Sequence, residues 1–449
     1  MTTSETKSKT LAVKRKISGT LRLPGDKSIS HRALLFNALA CGQAKLTGLS
    51  TGGDVASTRK CLEQLGCQFE QLSDETWLVN SSAGLKQASE SLDCGNSGTT
   101  TRLMIGALAG LNIPATLVGD ESLSKRPMKR VMAPLLEMGA VLKSNEGRLP
   151  LEICSSPSYL KGSLKGLQYQ LPVASAQVKS AVLIAGLYLP ATEMHSVTDP
   201  FDTRDHTERM LEAMGVTIAG ENKTLFLKGR QSDLQATDIT VPGDISSAAF
   251  LAVATAILPG SKLRLEHVSL NPTRTPLLDL LKQVGVDVQI EQTALSVGEP
   301  IGNITLTAPE TLQGNITITP EMVTGLIDEI PILTILGLLT NGKMTLNGAE
   351  ELRYKESDRL GSLITYLKQL GVDFTETPDG FSFEGRSDFV FPETISDVVF
   401  ETHHDHRLVM SLEILSLRRS HPLNIKGKEW VQISYPSFYD HLSQLLQAD

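Results

Sequence analysis

The chain has 449 residues, more than a single hydrophobic core usually serves, so we expect at least two domains. Its 42 lysines and arginines against 50 aspartates and glutamates give a net charge of -8, which excludes a generally basic surface for nucleic acid or anionic lipid. Five cysteines without a C-x-x-C pair disfavour a disulfide framework or a structural zinc site. The polar N-terminus and the short apolar runs contain no membrane span, and we expect a cytoplasmic protein.

The first stretch with a chemical signature is LPGDKSISHR, a turn at residues 23–26 that runs into a predicted helix. Apolar residues recur behind it at helical spacing, so Lys27, Ser28 and Arg32 lie in the first turns of that helix. Free N–H groups and the positive end of the helix dipole suit an anion there. The stretch is not a P-loop, because Asp26 separates the glycine from Lys27. A capped, solvated helix start is the alternative.

One phrase recurs along the chain: a helix ends in Leu-x-x-hydrophobic-Gly, and an alternating strand follows at once. Its glycines stand at 66, 139, 215, 285 and 371, and glycine adopts the left-handed conformation at a helix end without a Cβ penalty. A sixth such helix, 435–446, leaves no sequence for a following strand. We therefore predict six similar βαβαββ-like units, with chance recurrence of Leu-Gly helix ends as the alternative.

Each unit also contains a helix with a polar front and an almost wholly apolar body, which predicts burial on all sides. These helices lie in residues 95–110, 175–189, 243–260, 327–342 and 404–417. We predict an α/β fold of two similar inside-out domains, each with three units around buried helices. The polar stretch 230–237 marks the midpoint, so the first domain is predicted at 24–240 and the second at 1–23 plus 241–449.

Cations, small residues and carboxylates gather at the predicted helix starts, as two phosphate or carboxylate ligands would require. Lys125 and Arg126 could equally be a solvated pair, and residues 355–359 a charged first turn. The histidines at 403, 404 and 406 do not indicate a metal site, because adjacent imidazoles seldom converge on one ion. Asp328 and Glu329 stand within an apolar run, where a carboxylate usually has a partner or a task.

Nine segments follow one another along nearly the whole chain: LPGDKSISHRALL, GNSGTTTRL, KRPM, SAQVKSAVL, TRDHTERML, PGDISSAAF, IDEIPIL, LRYKESDRL and HDHRLVM. Together they resemble the 5-enolpyruvylshikimate-3-phosphate (EPSP) synthase family. The resemblance implies two similar domains that close on a cleft. It also implies carboxyvinyl transfer from phosphoenolpyruvate to the 5-hydroxyl of 3-phosphoshikimate, with release of phosphate and without metal or organic cofactor. We expect a monomer with these two small-molecule partners.

The resemblance implies site residues by their position in the matching motifs. Those for 3-phosphoshikimate are Lys27, Ser28, Arg32, Ser175, Ala176, Gln177, Thr203, Asp328 and Lys355. Those for phosphoenolpyruvate are Lys27, Asn96, Gly98, Arg126, Gln177, Arg359 and Arg407. The transfer needs a base for the hydroxyl and an acid for the methylene carbon, for which the resemblance implies Asp328 and Glu356. It also implies Lys27, which contacts both substrates, as the third catalytic residue. Because cations come from both domains, we expect them to repel one another until anions fill the cleft.

Three positions depart from the family pattern. Thr203 replaces a serine, and Leu103 stands where some members have proline. Ile433 stands where many have a lysine, for which Lys426 or Lys428 could substitute. The alternative functions are the sister UDP-N-acetylglucosamine enolpyruvyl transferase, whose mobile-loop cysteine has no match here, and a non-catalytic phosphate-ligand binding protein, which would lack Asp328 or Glu356.

Overall fold

The computed structural model describes residues 15–155, 164–230 and 233–448. The N-terminal residues 1–14 of the predicted second domain and residues 231–232 of the predicted midpoint therefore lie outside the described residues. We refer to residues 24–240 as the first half and to residues 15–23 with 241–448 as the second half. Among the described residues, no helix is long and apolar enough to cross a membrane.

Most strands lie in sheets of one topology, in which a parallel strand pair is followed by an antiparallel hairpin. Three sheets lie in the first half: β13 (Ile239–Thr240), β2 (Gln43–Thr47), β4 (Thr76–Asn80), β3 (Gln68–Ser73); β5 (Leu92–Asp93), β6 (Ala115–Val118), β8 (Arg148–Cys154), β7 (Val141–Asn145); and β11 (Ile218–Glu221), β12 (Thr224–Lys228), β10 (Met194–Thr198), β9 (Gln168–Gln170). The other three lie in the second half: β15 (Asp287–Ser296), β16 (Glu299–Thr307), β14 (Lys262–Ser269), β1 (Arg15–Arg22), β23 (Leu446–Ala448); β17 (Ile316–Ile318), β18 (Gly342–Leu346), β20 (Gly380–Gly385), β19 (Phe374–Thr377); and β21 (Val399–Phe400) with β22 (Asn424–Ile425).

Helices connect the strands within each unit. The α-helices of the described residues are α1 (Lys27–Leu39), α2 (Gly53–Gln64), α3 (Gly98–Leu111), α4 (Glu121–Lys125), α5 (Lys129–Glu137), α6 (Ala176–Gly186), α7 (His206–Ala213), α8 (Ile245–Ile257), α9 (Pro276–Gln283), α10 (Pro320–Leu326), α11 (Ile330–Leu338), α12 (Arg359–Gln369), α13 (His406–Ser416) and α14 (Phe438–Leu445). Three 3-10 helices span Glu350–Tyr354, Glu393–Asp397 and Lys428–Ile433. This mixed α/β arrangement confirms the predicted fold class.

The most apolar helices form the inside of each half. Every residue of α8 and of α11 is buried, as expected for helices that are apolar on all faces. Helices α1, α3 and α6 contribute to one apolar cluster, drawn from residues 29–241. Helices α8, α11 and α13 contribute to another, drawn from residues 17–23 and 245–445. The predicted buried helices are thus confirmed, and the two clusters separate near the predicted domain boundaries.

The chain passes between the two halves twice. Strand β1 pairs in parallel with β14 of the second half, and the chain then enters α1 of the first. Strand β13 pairs in parallel with β2 of the first half, and the chain then enters α8 of the second. The opening strand β1 therefore lies in a sheet of the second half.

The helix-ending glycines behave as predicted, with φ values of 97, 102, 96, 97 and 69° at Gly66, Gly139, Gly215, Gly285 and Gly371. The expectation of no strand after the last helix is wrong. Residues Leu446–Ala448 form β23, which pairs antiparallel with β1. This three-residue strand is stabilised by pairing with the exposed edge of β1. Its partner lies more than four hundred positions earlier in the sequence, so no local pattern predicted the strand.

Candidate active site

The predicted site residues lie at the starts of buried helices that face one another across a cleft between the two halves. Side-chain caps fix several of these starts. Asp26 caps α1 by accepting from the Ile29 amide at 2.9 Å, Ser97 caps α3, and Ser175 caps α6. Asp405 caps α13 in the same way through the Arg407 amide at 3.0 Å. Capping leaves the remaining N–H groups of each first turn directed at the cleft, where an anion can accept from them.

Lys27 and Ser28 begin α1 and are half-buried at the cleft. The Lys27 ammonium contacts Asp54 at 3.1 Å, a carboxylate on α2 that belongs to none of the sequence motifs. Arg32 lies one turn deeper and donates to the hydroxyls of Thr207 at 2.7 Å and Ser180 at 2.8 Å. Burial lowers the pKa of Arg32 to about 10, although nearby carboxylates oppose this. Two hydroxyls therefore hold Arg32, whereas Lys27 lies nearer the surface and pairs with one carboxylate.

Helices α3 and α6 are joined at their starts by Gln177. Its carbonyl oxygen accepts from Arg102 at 2.8 Å, and its amide group donates to Thr99 at 2.8 Å. Ser175 and Ala176 stand beside it, half-buried at the first turn of α6. These contacts connect the motif predicted for 3-phosphoshikimate with the motif predicted for phosphoenolpyruvate, as expected of a residue lying between two ligands.

Thr203 does not present its hydroxyl to the cleft. The residue is 3% exposed, and its hydroxyl donates to Asp199 at 2.6 Å. Asp199 also accepts from Lys179 at 3.0 Å, so Thr203 belongs to a buried polar group beneath the helix starts. Its neighbour Arg204 reaches across the cleft instead.

The segment 96–98 and the KRPM motif form one cationic corner. Arg126 is 9% exposed and donates to Asn96 at 3.0 Å, and Asn96 in turn donates to Asp120 at 2.7 Å. A Cβ added to Gly98 would lie 2.6 Å from the Arg102 guanidinium and 3.3 Å from that of Arg126. Only glycine leaves both cations in place there. Lys125, by contrast, is 69% exposed and pairs with Glu121, in agreement with the solvated alternative for that residue.

Asp328 lies on the opposite wall among arginines from both halves. It accepts from Arg204 at 2.7 Å and from Arg359 at 3.1 Å, and Arg407 lies 3.4 Å away. Burial acts to raise the pKa of Asp328, but the arginines and Lys355 outweigh burial and hold it well below its usual range. Asp328 is therefore ionised and hydrogen-bonded in the unliganded protein.

Glu356 shares Arg359 with Asp328. It accepts from Arg359 at 2.5 Å, and Arg126 of the first half lies 3.6 Å away. Burial acts to raise the pKa of Glu356. The nearby cations, first Arg359 and then Arg126, act in the opposite direction and outweigh burial, so the pKa lies well below its usual range. Arg359 is fully buried and is itself held by Asp405 at 2.7 Å. One fixed guanidinium thus joins both predicted proton-transfer groups.

Lys355 is the remaining predicted substrate contact in this cluster. Burial lowers its pKa, and Asp328 opposes that effect by stabilising the charged form. His404 stacks on Trp430 with 4.3 Å between the ring centroids, whereas His406 is buried at the start of α13. Lys426 pairs with Glu401 at 2.6 Å and Lys428 with Glu413 at 2.7 Å. Glu413 lies two turns along α13 from the cleft, so neither lysine replaces the missing one at position 433.

In the unliganded protein, carboxylates lie between the cations of the two halves and oppose the repulsion expected between them, while Arg204 still acts to lower the pKa of Lys355. Arg204 of the first half pairs with Asp328 of the second, and Arg126 lies near Glu356. At the rim, Arg130 makes a two-pronged pair with Glu351 at 2.8 and 3.0 Å. Carboxylates of one half therefore alternate with cations of the other. Sequence motifs did not single out Asp54, Arg130 or Glu351, because these side chains matter only through partners that folding brings near.

Comparisons with known proteins agree with this arrangement. Residues 11–442 match the family model described as EPSP synthase (3-phosphoshikimate 1-carboxyvinyltransferase). A relative from Shouchella clausii named 3-phosphoshikimate 1-carboxyvinyltransferase is 44% identical, covering 96% of both chains. One of the same name from Bacillus cytotoxicus is 42% identical, covering 96% of this chain and 98% of the relative. The solved EPSP synthase from Acinetobacter baumannii superposes with a TM-score of 0.82 at 39% identity, covering 97% of this chain and 98% of that one. The chain therefore belongs to the EPSP synthase family.

Proposed function

We propose that this protein transfers the carboxyvinyl group of phosphoenolpyruvate to the 5-hydroxyl of 3-phosphoshikimate and releases phosphate, in the shikimate pathway of aromatic amino acid biosynthesis. The observation that carries the proposal is a cluster of arginines in the cleft, in which Arg359 pairs with both Asp328 and Glu356. The chain that contains this cluster matches the family over residues 11–442. Both substrates carry several negative charges, and such a cluster provides the fixed cations that bring them together.

The proposed binding residues lie on both sides of the cleft, one formed by the first half and the other by the second half. The 3-phosphoshikimate would lie against α1 and α6 and the second-half wall, with the contacts Lys27, Ser28, Arg32, Ser175, Ala176, Gln177, Asp328 and Lys355. Thr203 would support the first-half side of this site through its hydrogen bond to Asp199, and it would not touch the ligand. The phosphoenolpyruvate would lie in the cationic corner and against the second half, with the contacts Lys27, Asn96, Gly98, Arg126, Gln177, Arg359 and Arg407.

The proposed chemistry is addition followed by elimination. The 5-oxygen forms a bond to the central carbon of phosphoenolpyruvate while Asp328 takes the hydroxyl proton, and the methylene carbon gains a proton from Glu356. The bond from that central carbon to the phosphate oxygen then breaks, and the leaving phosphate takes the proton held by Asp328. Glu356 takes back a proton from the new methyl group, which restores the double bond. Both carboxyls thus return to their starting protonation states, and the transfer involves no net oxidation or reduction.

Ligand binding would prepare Glu356 for this role. In the unliganded protein the arginines keep its pKa well below the usual range, so Glu356 has no proton to deliver. A phosphate and a carboxylate drawn to Arg126 and Arg359 would share those cations and weaken their hold on Glu356. Its pKa would then rise only when the substrate is present. Glu356 would thus become a proton donor only when phosphoenolpyruvate is bound.

The remaining proposals concern organisation. The two apolar clusters support domains at 24–240 and at 1–23 plus 241–449, joined by the two crossings. We also propose a cytoplasmic monomer, on the sequence pattern and on the absence of a disulfide among the five cysteines, which all lie in described positions. A sedimentation run over a range of concentrations checks the monomer.

Phosphate release tests the function directly. Purified protein should release phosphate when phosphoenolpyruvate and 3-phosphoshikimate are both supplied, and with neither alone. UDP-N-acetylglucosamine in place of 3-phosphoshikimate should give no release, because no cysteine-bearing mobile loop is present in the sequence to serve that substrate. Release with the nucleotide sugar, or none with the proposed pair, would refute the assignment.

A further inference from the structure

The two chain crossings repeat one sequence, Pro-Gly-Asp, at residues 24–26 and 242–244. They lie side by side and bond reciprocally: the Asp26 amide donates to the Pro242 carbonyl at 2.7 Å, and the Asp244 amide donates to that of Pro24 at 2.9 Å. Any motion of one half relative to the other passes through this pair of turns. The crossing pair is therefore the hinge of the cleft.

Each aspartate of the crossing pair caps the buried helix that follows it. Asp26 accepts from the Ile29 amide at 2.9 Å, and Asp244 accepts from the Ser246 amide at 2.8 Å. Their side chains are nearly inaccessible to solvent, 1% and 6% exposed as residues. Burial and the neighbouring Asp26 raise the pKa of Asp244 to about 6, against the attraction of Arg274. Two buried carboxylates this close require a cation.

Arg274 is that cation. It is 2% exposed and lies 3.4 Å from Asp26 and 3.8 Å from Asp244. A third carboxylate, Glu329, lies 3.9 Å away and also bonds the Ser246 hydroxyl, to which Arg274 donates at 2.6 Å. One guanidinium thus contacts both hinge aspartates and the residue that begins α11. Its other close neighbour is His206, whose ring pairs with the buried Glu299 at 2.7 Å.

The chain neighbours of these carboxylates are proposed substrate contacts. Asp26 immediately precedes Lys27, and Glu329 immediately follows Asp328. Through Asp26, Arg274 therefore holds the start of α1, which carries Lys27. Through Glu329 it also holds the segment before α11, which carries Asp328 on the opposite side of the cleft. A displacement of about 1 Å between reacting groups can cost about 100-fold in rate, so this spacing matters to the chemistry.

We propose that Arg274 is a positioning residue for the transfer, which sets the distance between Lys27 and Asp328 by neutralising Asp26, Asp244 and Glu329 at the hinge. This inference rests on the proposed function. Arg274 touches neither substrate, and its influence passes through the helix starts it holds. A methionine there would remove the one cation that all three buried carboxylates share.

The test compares Arg274→Met, Arg274→Lys and the double variant Arg274→Met/Asp244→Asn. Asparagine caps a helix about as well as aspartate, so the double variant removes one repelling charge without losing the cap. Melting temperature, the Kd for 3-phosphoshikimate alone, and kcat with both substrates are measured for each. Arg264→Met is the matched control, because Arg264 is 39% exposed on β14 and pairs only with surface carboxylates.

We expect Arg274→Met to melt lower and to lose about 10- to 100-fold in kcat, while its Kd for 3-phosphoshikimate rises by a smaller factor, because the other contacts of that ligand stay in place. The double variant should recover melting temperature but not kcat. Arg274→Lys should fall between, since a point charge cannot contact both aspartates as a planar fork does. If Arg274→Met does not fold, the other two variants carry the test.

Recovery of kcat together with melting temperature in the double variant would show a purely structural role and overturn the proposal. So would a kcat within about twofold of the unaltered protein in any of the folded Arg274 variants. Failure of the proposed function is distinguishable, because then the unaltered protein and the Arg264→Met control would themselves release no phosphate.

Discussion

Arg359 is the side chain on which both proposed proton-transfer groups depend. It is fully buried, fixed by Asp405, and divides its guanidinium between Asp328 and Glu356. The carboxylates are therefore not independent, because a change in charge at one alters the hold of Arg359 on the other. Sequence motifs identified all three residues, since each lies at a helix start. That a single arginine joins them is a tertiary fact with no sequence pattern.

The proposed roles of the two carboxylates predict a large loss of turnover with little loss of binding. Asp328→Asn and Glu356→Gln should each lower kcat at least about 100-fold, because each removes an acid–base group while keeping its shape. The Kd for 3-phosphoshikimate should stay near normal by titration. Glu376→Gln, at a surface residue paired with Lys368, is the control and should be unaffected. Turnover like that of the unaltered protein would remove the substituted residue from the mechanism.

The depressed pKa of Asp328 also predicts how stability changes with pH. A carboxyl whose pKa is lower in the folded state stabilises the fold above its unfolded pKa of 3.8, and that stabilisation is lost as the pH falls through the lower folded value. Asp328→Asn should thus be less stable at neutral pH, by about 3 to 5 kcal/mol, with the difference shrinking below about pH 4. Urea unfolding at several pH values measures it, and a difference independent of pH would contradict this origin.

Gly98 predicts a steric effect on phosphoenolpyruvate. An added Cβ would displace the Arg102 guanidinium and crowd that of Arg126, so Gly98→Ala should raise the KM for phosphoenolpyruvate by about 10- to 100-fold, the value of one charge-assisted hydrogen bond. Steady-state kinetics with 3-phosphoshikimate saturating provides the measurement. Gly53→Ala is the matched control, because no atom lies within 4 Å of the new Cβ at that helix start. Equal KM values for the two variants would exclude the steric explanation.

At the scale of elements, the 3-10 helix Glu350–Tyr354 and α5 meet at the rim of the cleft. Arg130 on α5 makes its two-pronged pair with Glu351 and lies over the Tyr354 ring at 5.9 Å. The sequence placed neither residue in the site, because each looks like an ordinary charged surface residue. It predicted the buried helices and their glycine ends well, since apolar periodicity and positive φ are local properties. Contacts between elements of different halves are not local.

This rim contact predicts a modest effect on cleft closure. Arg130 is 40% exposed, so solvent screens the pair and its contribution should stay below about 1 kcal/mol. Arg130→Ala should raise the KM for phosphoenolpyruvate by less than about fivefold and leave kcat unchanged. A double-mutant cycle with Glu351→Ala isolates the pair, and both single effects should disappear in 1 M salt. Strict additivity of the two substitutions would show that the pair does not couple the halves.

At the scale of the whole molecule, two halves of the same architecture are joined by two crossings and by ion pairs across the cleft. The six-unit repeat was predictable because each unit carries its own apolar pattern and glycine. The pairing of the strands next to the two crossings was only partly predictable. The sequence placed the opening strand with the second half, but it did not predict that β13 forms the edge of the first sheet. The cross-cleft pairs Arg204–Asp328 and Arg130–Glu351 oppose the expected repulsion between cations and add attraction across the unliganded cleft.

Ion pairs that close a cleft predict a salt-dependent shape. A compact chain of this length has a radius of gyration of about 22 Å, and small-angle scattering at low salt should give a value near it. Raising salt to about 1 M shortens the screening length to about 3 Å and weakens the cross-cleft pairs, so the radius should increase without substrates. With both substrates bound the increase should be much smaller, because fixed anions then hold the arginines of both walls. A radius that ignores salt in the unliganded protein would mean that packing at the hinge, and not charge across the cleft, sets the closed form.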